Sequence, residues 1–331
     1  MNTALPEHTP VSQRALHEAA GRGLRLLAAD PRCRSAFTAP GSLLQDLLSP
    51  AAHRYVLAAD RDAFLDHLGV LRAKSYRIAV EFVGEEAADP AEVERVVGEY
   101  LAVLAHEPVP EQLGFDLSNV GLALSRELCA ANTARIASAA AARGSEVVLS
   151  MERAPAVDDV LGTYRELAAD HANLGVTLQA YLHRTEADLD AVPVAGRRIR
   201  LVKGAFVAPP EVALGRGPAL DARYLRLAAA LVDRGARLSL ATQDPAVLEA
   251  AARSGLLDRV EEIEMLHGVR PELLRSYRES RHACRIYATY GENWWLHLLH
   301  RLAEHPPMVL TALADIAERG QAEGRTVGAG Y

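Results

Sequence analysis

Arg200-Leu-Val-Lys-Gly-Ala-Phe206 and Arg285-Ile-Tyr-Ala-Thr-Tyr-Gly291 are the two stretches that decide the fold. Each closes a short β-type run, and the second is followed by a helical pattern carrying His297, His300 and Arg301. A strand that ends in a cation and then Gly-Ala brings positive charge and bare backbone close to a ligand. Regularly spaced strands of this kind describe a barrel enzyme with its site at one rim.

Outward from these stretches, runs rich in Val, Ile and Leu recur at 77–82, 113–118, 146–151, 175–180, 198–204, 236–242, 260–266 and 284–289. Helical periodicity fills the gaps, as at 91–105, 125–142, 157–169, 222–232 and 245–252. Eight strands alternating with helices predict an α/β fold, a (β/α)8 TIM-type barrel with N-terminal helices. An open doubly wound sheet would carry GxGxxG or GxxxxGK[ST] after an early strand, and neither motif occurs. The residues before Gln13 read as a flexible arm. A helix is predicted from Gln13 to Ala29, stopped by Asp30-Pro31, and further helices to about Arg72. The expected organisation is therefore residues 1–72 as arm and helices packing on the barrel, 73–322 as the barrel, and 323–331 as a flexible tail.

The chain has 331 residues, enough for an ample core, and a net charge of −7 that gives no reason to expect a nucleic-acid partner. Cys33, Cys129 and Cys284 are far apart and odd in number, which points to a reduced, cytoplasmic location. No signal peptide is read at the N-terminus, and no apolar stretch approaches the roughly 18 residues that span a bilayer.

Reading the strand ends gives Glu81, Asp116, Glu152, Gln179, Lys203, Gln243, Glu264 and Tyr287 as rim residues. Barrel rims are polar by construction, so a cap or loop anchor is the alternative for each. Lys203 is one of two lysines in the chain. It could meet an anion, form a Schiff base, or sit in a salt bridge to a neighbouring strand. His297, His300, Arg301 and Glu304 share one helix face at i, i+3, i+4 and i+7. Two histidines fall short of the usual three metal ligands, and no metal is expected. Trp294 and Trp295 suit either a pocket wall or core packing, and His267 a hydrogen-bonded loop.

In this order, Val80-Glu-Phe-Val-Gly-Glu85, Leu178-Gln-Ala-Tyr-Leu182, Ile199-Arg-Leu-Val-Lys-Gly-Ala-Phe206, Leu240-Ala-Thr-Gln-Asp244, Glu262-Ile-Glu-Met-Leu-His-Gly268 and Arg285-Ile-Tyr287 resemble the proline dehydrogenase family. Those are flavin enzymes on a distorted (β/α)8 barrel. The resemblance implies FAD as cofactor, held by Gln179, Arg200, Lys203, Gly204, Thr242, Gln243 and Glu264, with Arg200 near the flavin N5–O4 edge. It implies a substrate pocket lined by Glu81, Leu201, Ala205, Phe206, His297 and Arg301, with Arg200, Lys203, His300 and Tyr287 at the chemistry. The partners implied are a small amine and an electron acceptor: quinone, oxygen or a carrier protein.

The chain also departs from the family. Where Tyr-x-x-Arg-Arg is usual it has His297-Leu-Leu-His300-Arg301, no clamp lysine precedes Lys74, and Glu264 stands where Gln is usual. Each charge-assisted hydrogen bond contributes roughly 1.5–3 kcal/mol, or about 10- to 100-fold in affinity. Losing two of three cations therefore predicts a proline-related or other amine as substrate rather than free proline, oxidised at the C–H beside nitrogen to an imine. Histidine, with an ordinary pKa of about 6.5, restores part of the charge only in acid, or serves as a base for the amine proton. The alternatives are a relative that has lost turnover and a Schiff-base lyase using Lys203.

Overall fold

The computed structural model describes residues 12–83, 87, 89–304, 306–318, 328, 330 and 331. The arm before Gln13 and most of the 323–331 tail lie outside the described residues. The chain divides into two compact units, Met1–His53 with Trp294–Gly324 and Arg54–Asn293 with Arg325–Tyr331.

The first unit is helical. α1 spans Gln13–Ala29, α2 Pro31–Thr38 and α3 Leu43–Ala52. Asp30 ends α1, and its carboxylate then accepts from the Arg32 N–H at 2.8 Å, starting α2 with Pro31 in the first turn. Two later helices, Trp295–Glu304 and Met308–Ala317, belong to the same unit. At the start of the first of them, Trp295 and the preceding Trp294 pack on Phe37, with ring centroids 5.4 and 4.6 Å apart. Of the two uses read for these tryptophans, core packing is the one observed.

The second unit is the barrel. It opens with β1 (Val56–Ala58) and α4 (Arg61–Ala73), a segment the sequence assigned to helix alone and placed before a boundary at 72/73. β1 escapes periodicity because three residues are too few to show a period. It is specified by pairing with the last strand, Val56 opposite Thr289. The barrel strands follow as β2 (Arg77–Phe82), β3 (Gln112–Phe115), β4 (Glu146–Leu149), β5 (Leu174–Gln179), β6 (Arg198–Val202), β7 (Arg237–Ala241), β8 (Glu262–Leu266) and β9 (Cys284–Tyr290). All pair in parallel, and β9 bonds to both β2 and β8, which closes an eight-stranded barrel. Between them run α5 (Pro90–Ala105), α6 (Arg126–Ala142), α7 (Val157–Leu167), α8 (Thr185–Ala191), α9 (Pro218–Asp233), α10 (Pro245–Arg253) and α11 (Pro271–Glu279), so the late helices of the first unit are α12 and α13. Asp89-Pro90 and Asp244-Pro245 start α5 and α10 as Asp30-Pro31 starts α2, each aspartate accepting from the N–H two residues on.

Alternation divides every strand between two layers. Ile78, Val80, Leu113, Phe115, Val147, Leu149, Val176, Ile199, Leu201, Leu238, Leu240, Ile263 and Ile286 are fully buried between sheet and helices. The alternate positions face the lumen, and they include the polar Gln112, Glu146, Thr177, Gln179, Arg198, Arg200, Ser239, Glu262, Glu264 and Arg285. Tyr331, which the sequence placed in a flexible tail, is only 8% exposed. Its phenol accepts from the Gly268 N–H at 2.8 Å and lies 3.2 Å from His267 Nδ1, so this residue is docked rather than loose.

Candidate active site

The lumen carries two tiers of charge. At the N-terminal strand ends, Arg77, Arg198, Arg237 and Arg285 interleave with Glu146, Glu261 and Glu262. Arg285 donates to both oxygens of Glu262, at 2.6 and 3.1 Å. The guanidinium beside it, with Arg198 and Ser239, offsets burial and lowers the Glu262 carboxyl to about 2.

One layer nearer the C-terminal strand ends lies a second group. Arg200 Nε donates to Glu264 Oε1 at 2.5 Å, reaching past β7 to β8. The Arg200 guanidinium lies over the Tyr287 ring, 4.4 Å from its centroid. Tyr287 in turn donates to Glu81 at 2.5 Å and stands 3.4 Å from the Ser150 hydroxyl. Burial opposes the Arg200 charge, but Glu264, Tyr287 and Glu81 outweigh it and hold its pKa above the ordinary value. Burial, then the Glu81 carboxylate, push the Tyr287 phenol well above its usual range, so it acts as a donor and not as a base.

Among the described residues, three buried polar atoms at this level lack a hydrogen-bond partner, one of them the hydroxyl of Thr177, opposite Arg200 in the strand register. Glu264 Oε2 is buried and unbonded. Gln179 Nε2 donates to the carbonyls of Met151 and Glu152 at 3.1 and 3.2 Å, which fixes the amide's orientation and leaves buried Oε1 unmatched. A guanidinium beside unmatched acceptors suits a ring that offers an N–H together with carbonyl oxygens, as the isoalloxazine of FAD does.

The remaining expected residues fall in three places. Lys203 sits between Asp221 and Asp244, at 2.5 and 2.6 Å. Both contacts of the amine are with carboxylates, so the geometry speaks for the salt-bridge reading. The partners are Asp221 in α9 and the α10 cap rather than a strand glutamate. Thr242 accepts from the Asp244 N–H at 3.2 Å and, with Gln243, leads into that cap. Gly204 has φ +110°, and a Cβ there would come within 2.2 Å of the Tyr181 ring, so its bare backbone makes room for Tyr181. Ala205 and Phe206 follow, both half-buried. Leu201 is the correction. It alternates with Arg200, faces the helix layer and is 0% exposed, so it does not line the lumen.

His297, His300, Arg301 and Glu304 are half-buried along α12 in the first unit. Arg301 donates to Glu304 at 3.0 and 3.1 Å. Asp116 and Glu152 stay at their strand ends, with Glu152 accepting from the Ser118 N–H at 3.0 Å. Sequence reading missed Ser150, Asp221 and Gly114, where a Cβ would lie 2.4 Å from the Tyr287 oxygen. The one signal for Gly114 was a glycine inside a strand, which marks a close approach. Among the described residues, no group of three His, Cys, Asp or Glu is placed to hold a metal, and no helix is long and apolar enough to cross a membrane. Burial pushes the Cys129 and Cys284 thiols up to about 12.

Comparison with known proteins bears on the same residues. The family described as "Proline dehydrogenase" matches residues 64–304. Proline dehydrogenase 1 of Bacillus subtilis subsp. natto is 26% identical over 275 residues, covering 81% of this chain and 91% of that protein. The proline dehydrogenase of Deinococcus radiodurans is 26% identical over 267 residues, covering 77% and 86%. Among solved structures, proline utilization A (PutA) from Bdellovibrio bacteriovorus superimposes with a TM-score of 0.69 at 16% identity. It is covered by 96% of this chain, which spans 39% of its length. PutA from Corynebacterium freiburgense gives 0.64 at 18% identity, over 97% of this chain and 36% of that one. These two likenesses concern the fold.

Proposed function

The chain belongs to the proline dehydrogenase family of oxidoreductases, and from that premise we propose that it binds FAD and oxidises a secondary amine to an imine. The observation that carries the reading is Arg200, a buried cation at the C-terminal side of the lumen, next to the unmatched acceptors of Gln179 and Glu264. Bound FAD would supply a two-electron acceptor for the hydride on the carbon beside nitrogen, with the nitrogen losing its proton and quinone, oxygen or a carrier as the final acceptor.

The chain's own residues have distinct tasks in this reading. Arg200 favours negative charge on a neighbouring ring. Tyr287, kept protonated and tied to Glu81, braces the Arg200 guanidinium from its face. Gln179 offers Oε1 to a ring N–H, while Lys203, Gly204, Thr242 and Gln243 shape the loops after β6 and β7 that meet the nucleotide. Ala205, Phe206 and Glu81 line the substrate's surroundings in the barrel, and His297, His300 and Arg301 are the substrate-binding candidates of α12.

We assign the substrate to proline-related or other amines rather than free proline. The carboxylate clamp expected of the family has lost two cations. The remaining one, Arg301, already carries the Glu304 carboxylate at 3.0 Å, which leaves less charge for a substrate anion. The test is the visible spectrum of the purified, FAD-reconstituted protein, followed by anaerobic titration with cyclic and acyclic secondary amines. A band at roughly 450 nm, that of an oxidised flavin, should bleach with at least one amine and poorly with proline. Efficient bleaching by proline alone removes the substrate refinement, and a chain that takes up no FAD removes the reading.

A further inference from the structure

We propose that Glu264 is a redox-tuning residue that holds the flavin of this chain at a lower reduction potential than an uncharged side chain at that position would. The inference rests on the FAD reading above.

Glu264, fully shielded from water, forms an ion pair with Arg200 at 2.5 Å from its Nε. Glu264 therefore cancels, inside a low-dielectric lumen, the positive charge that Arg200 would otherwise direct at a ring beside it. Arg285, opposite Glu264 in the strand register, spends its guanidinium on Glu262. Among the described residues, Tyr287 with its partner Glu81, and Tyr224, which donates to the Leu201 carbonyl, also face the pair. Both phenols are held neutral by burial. Arg200 and Glu264 together thus carry no net charge where Arg200 alone would give one positive. Two-electron reduction adds negative charge to a flavin, and cancelling a positive charge beside it opposes that change. Such a flavin accepts electrons from the amine less readily and passes them to an acceptor more readily.

Structure also speaks against a purely architectural role. A glutamine amide could accept from Arg200 in the same place, and its second polar atom would be an NH2. Glu264 instead leaves Oε2 buried and unbonded, an arrangement that costs stability. Because it works through Arg200, Glu264 is a positioning residue, and its signature is a potential.

The experiment is the midpoint potential of the FAD-loaded full chain, measured anaerobically by dye-coupled reduction, for wild type and Glu264→Gln. With flavin retained, Glu264→Gln is expected to shift the two-electron equilibrium toward the reduced form at least tenfold, about 30 mV. An unchanged or lowered potential overturns the proposal and leaves the flavin reading standing. Failure of the wild type to bind FAD removes both. Should Glu264→Gln not accumulate as folded protein, Glu264→Asp carries the test. Withdrawing the carboxylate by one methylene loosens its hold on Arg200, so a smaller rise is expected, and no rise is again decisive against the proposal.

Discussion

The two tiers of the barrel lumen use the same chemistry to different ends. In the lower tier each arginine meets two or more carboxylates or donates both N–H arms to one, as Arg285 does to Glu262, and each glutamate meets two or more arginines. Gln112, buried with its amide unpartnered, is the exception there. In the upper tier one arginine, Arg200, meets one carboxylate and one ring, and Glu264 and Gln179 keep acceptors in reserve. Both tiers are buried ion pairs, so burial and charge alone do not mark a site. Unmet hydrogen-bonding capacity beside the C-terminal strand ends does, because a scaffold has no reason to carry that cost and a ligand can relieve it.

The largest effect should come from breaking the lower tier. Arg285→Met leaves Glu262 buried without its closest cation and should cost about 3–5 kcal/mol of stability. Equilibrium denaturation reads this, and the folded fraction should still take up FAD one to one. If it keeps its stability and loses flavin, the division of labour between the tiers is wrong. Arg200→Met attacks the upper tier. The loss of one charge-assisted contact should weaken FAD binding about 10- to 100-fold, worth 1.5–3 kcal/mol, as measured by flavin retention on dilution. A smaller effect is expected from Glu304→Gln in α12, which releases Arg301. The KM for proline should fall by up to about tenfold, and no change would remove Arg301 from the substrate's anion contact.

The smallest effect concerns pH. Burial first, then the charge of His67, depress His267 to about 4 from an ordinary value of 6.5. The unfolded chain therefore binds a proton at a higher pH than the folded one. The contribution of this residue is complete above about 6.5 and is lost as pH falls toward about 4. His267→Asn, which can still accept from Tyr331, should flatten the fall in denaturation midpoint across that window. An unaltered slope would mean that His267 is not the titrating group.

Much of the barrel was legible in the chain because strand and helix state is local. Arg77–Phe82 was read at its observed bounds, and the other seven runs overlap their strands to within a few residues. The errors arose where the deciding partner is remote. β1 depends on β9, more than two hundred residues away, and Tyr331 depends on Gly268 and His267. Leu201 was drawn into the pocket by its neighbours in a motif, although a one-residue step along a strand reverses the face.

By itself the sequence determined the alternation of eight strands with helices, the place of each cation at a strand end, the kinship with flavin enzymes, and the glutamate and histidine departures from their pattern. Periodicity and composition carry such information, since backbone state follows from residues within one or two turns. Only the tertiary structure decided that Arg200 meets Glu264, that Lys203 lies between Asp221 and Asp244, and that Gln179 keeps one acceptor unmatched. Those pairings require strands and helices dozens of residues apart to be brought into register by closure of the barrel. Electrostatic energy depends on distance in space and on burial, neither of which is written in spacing along the chain.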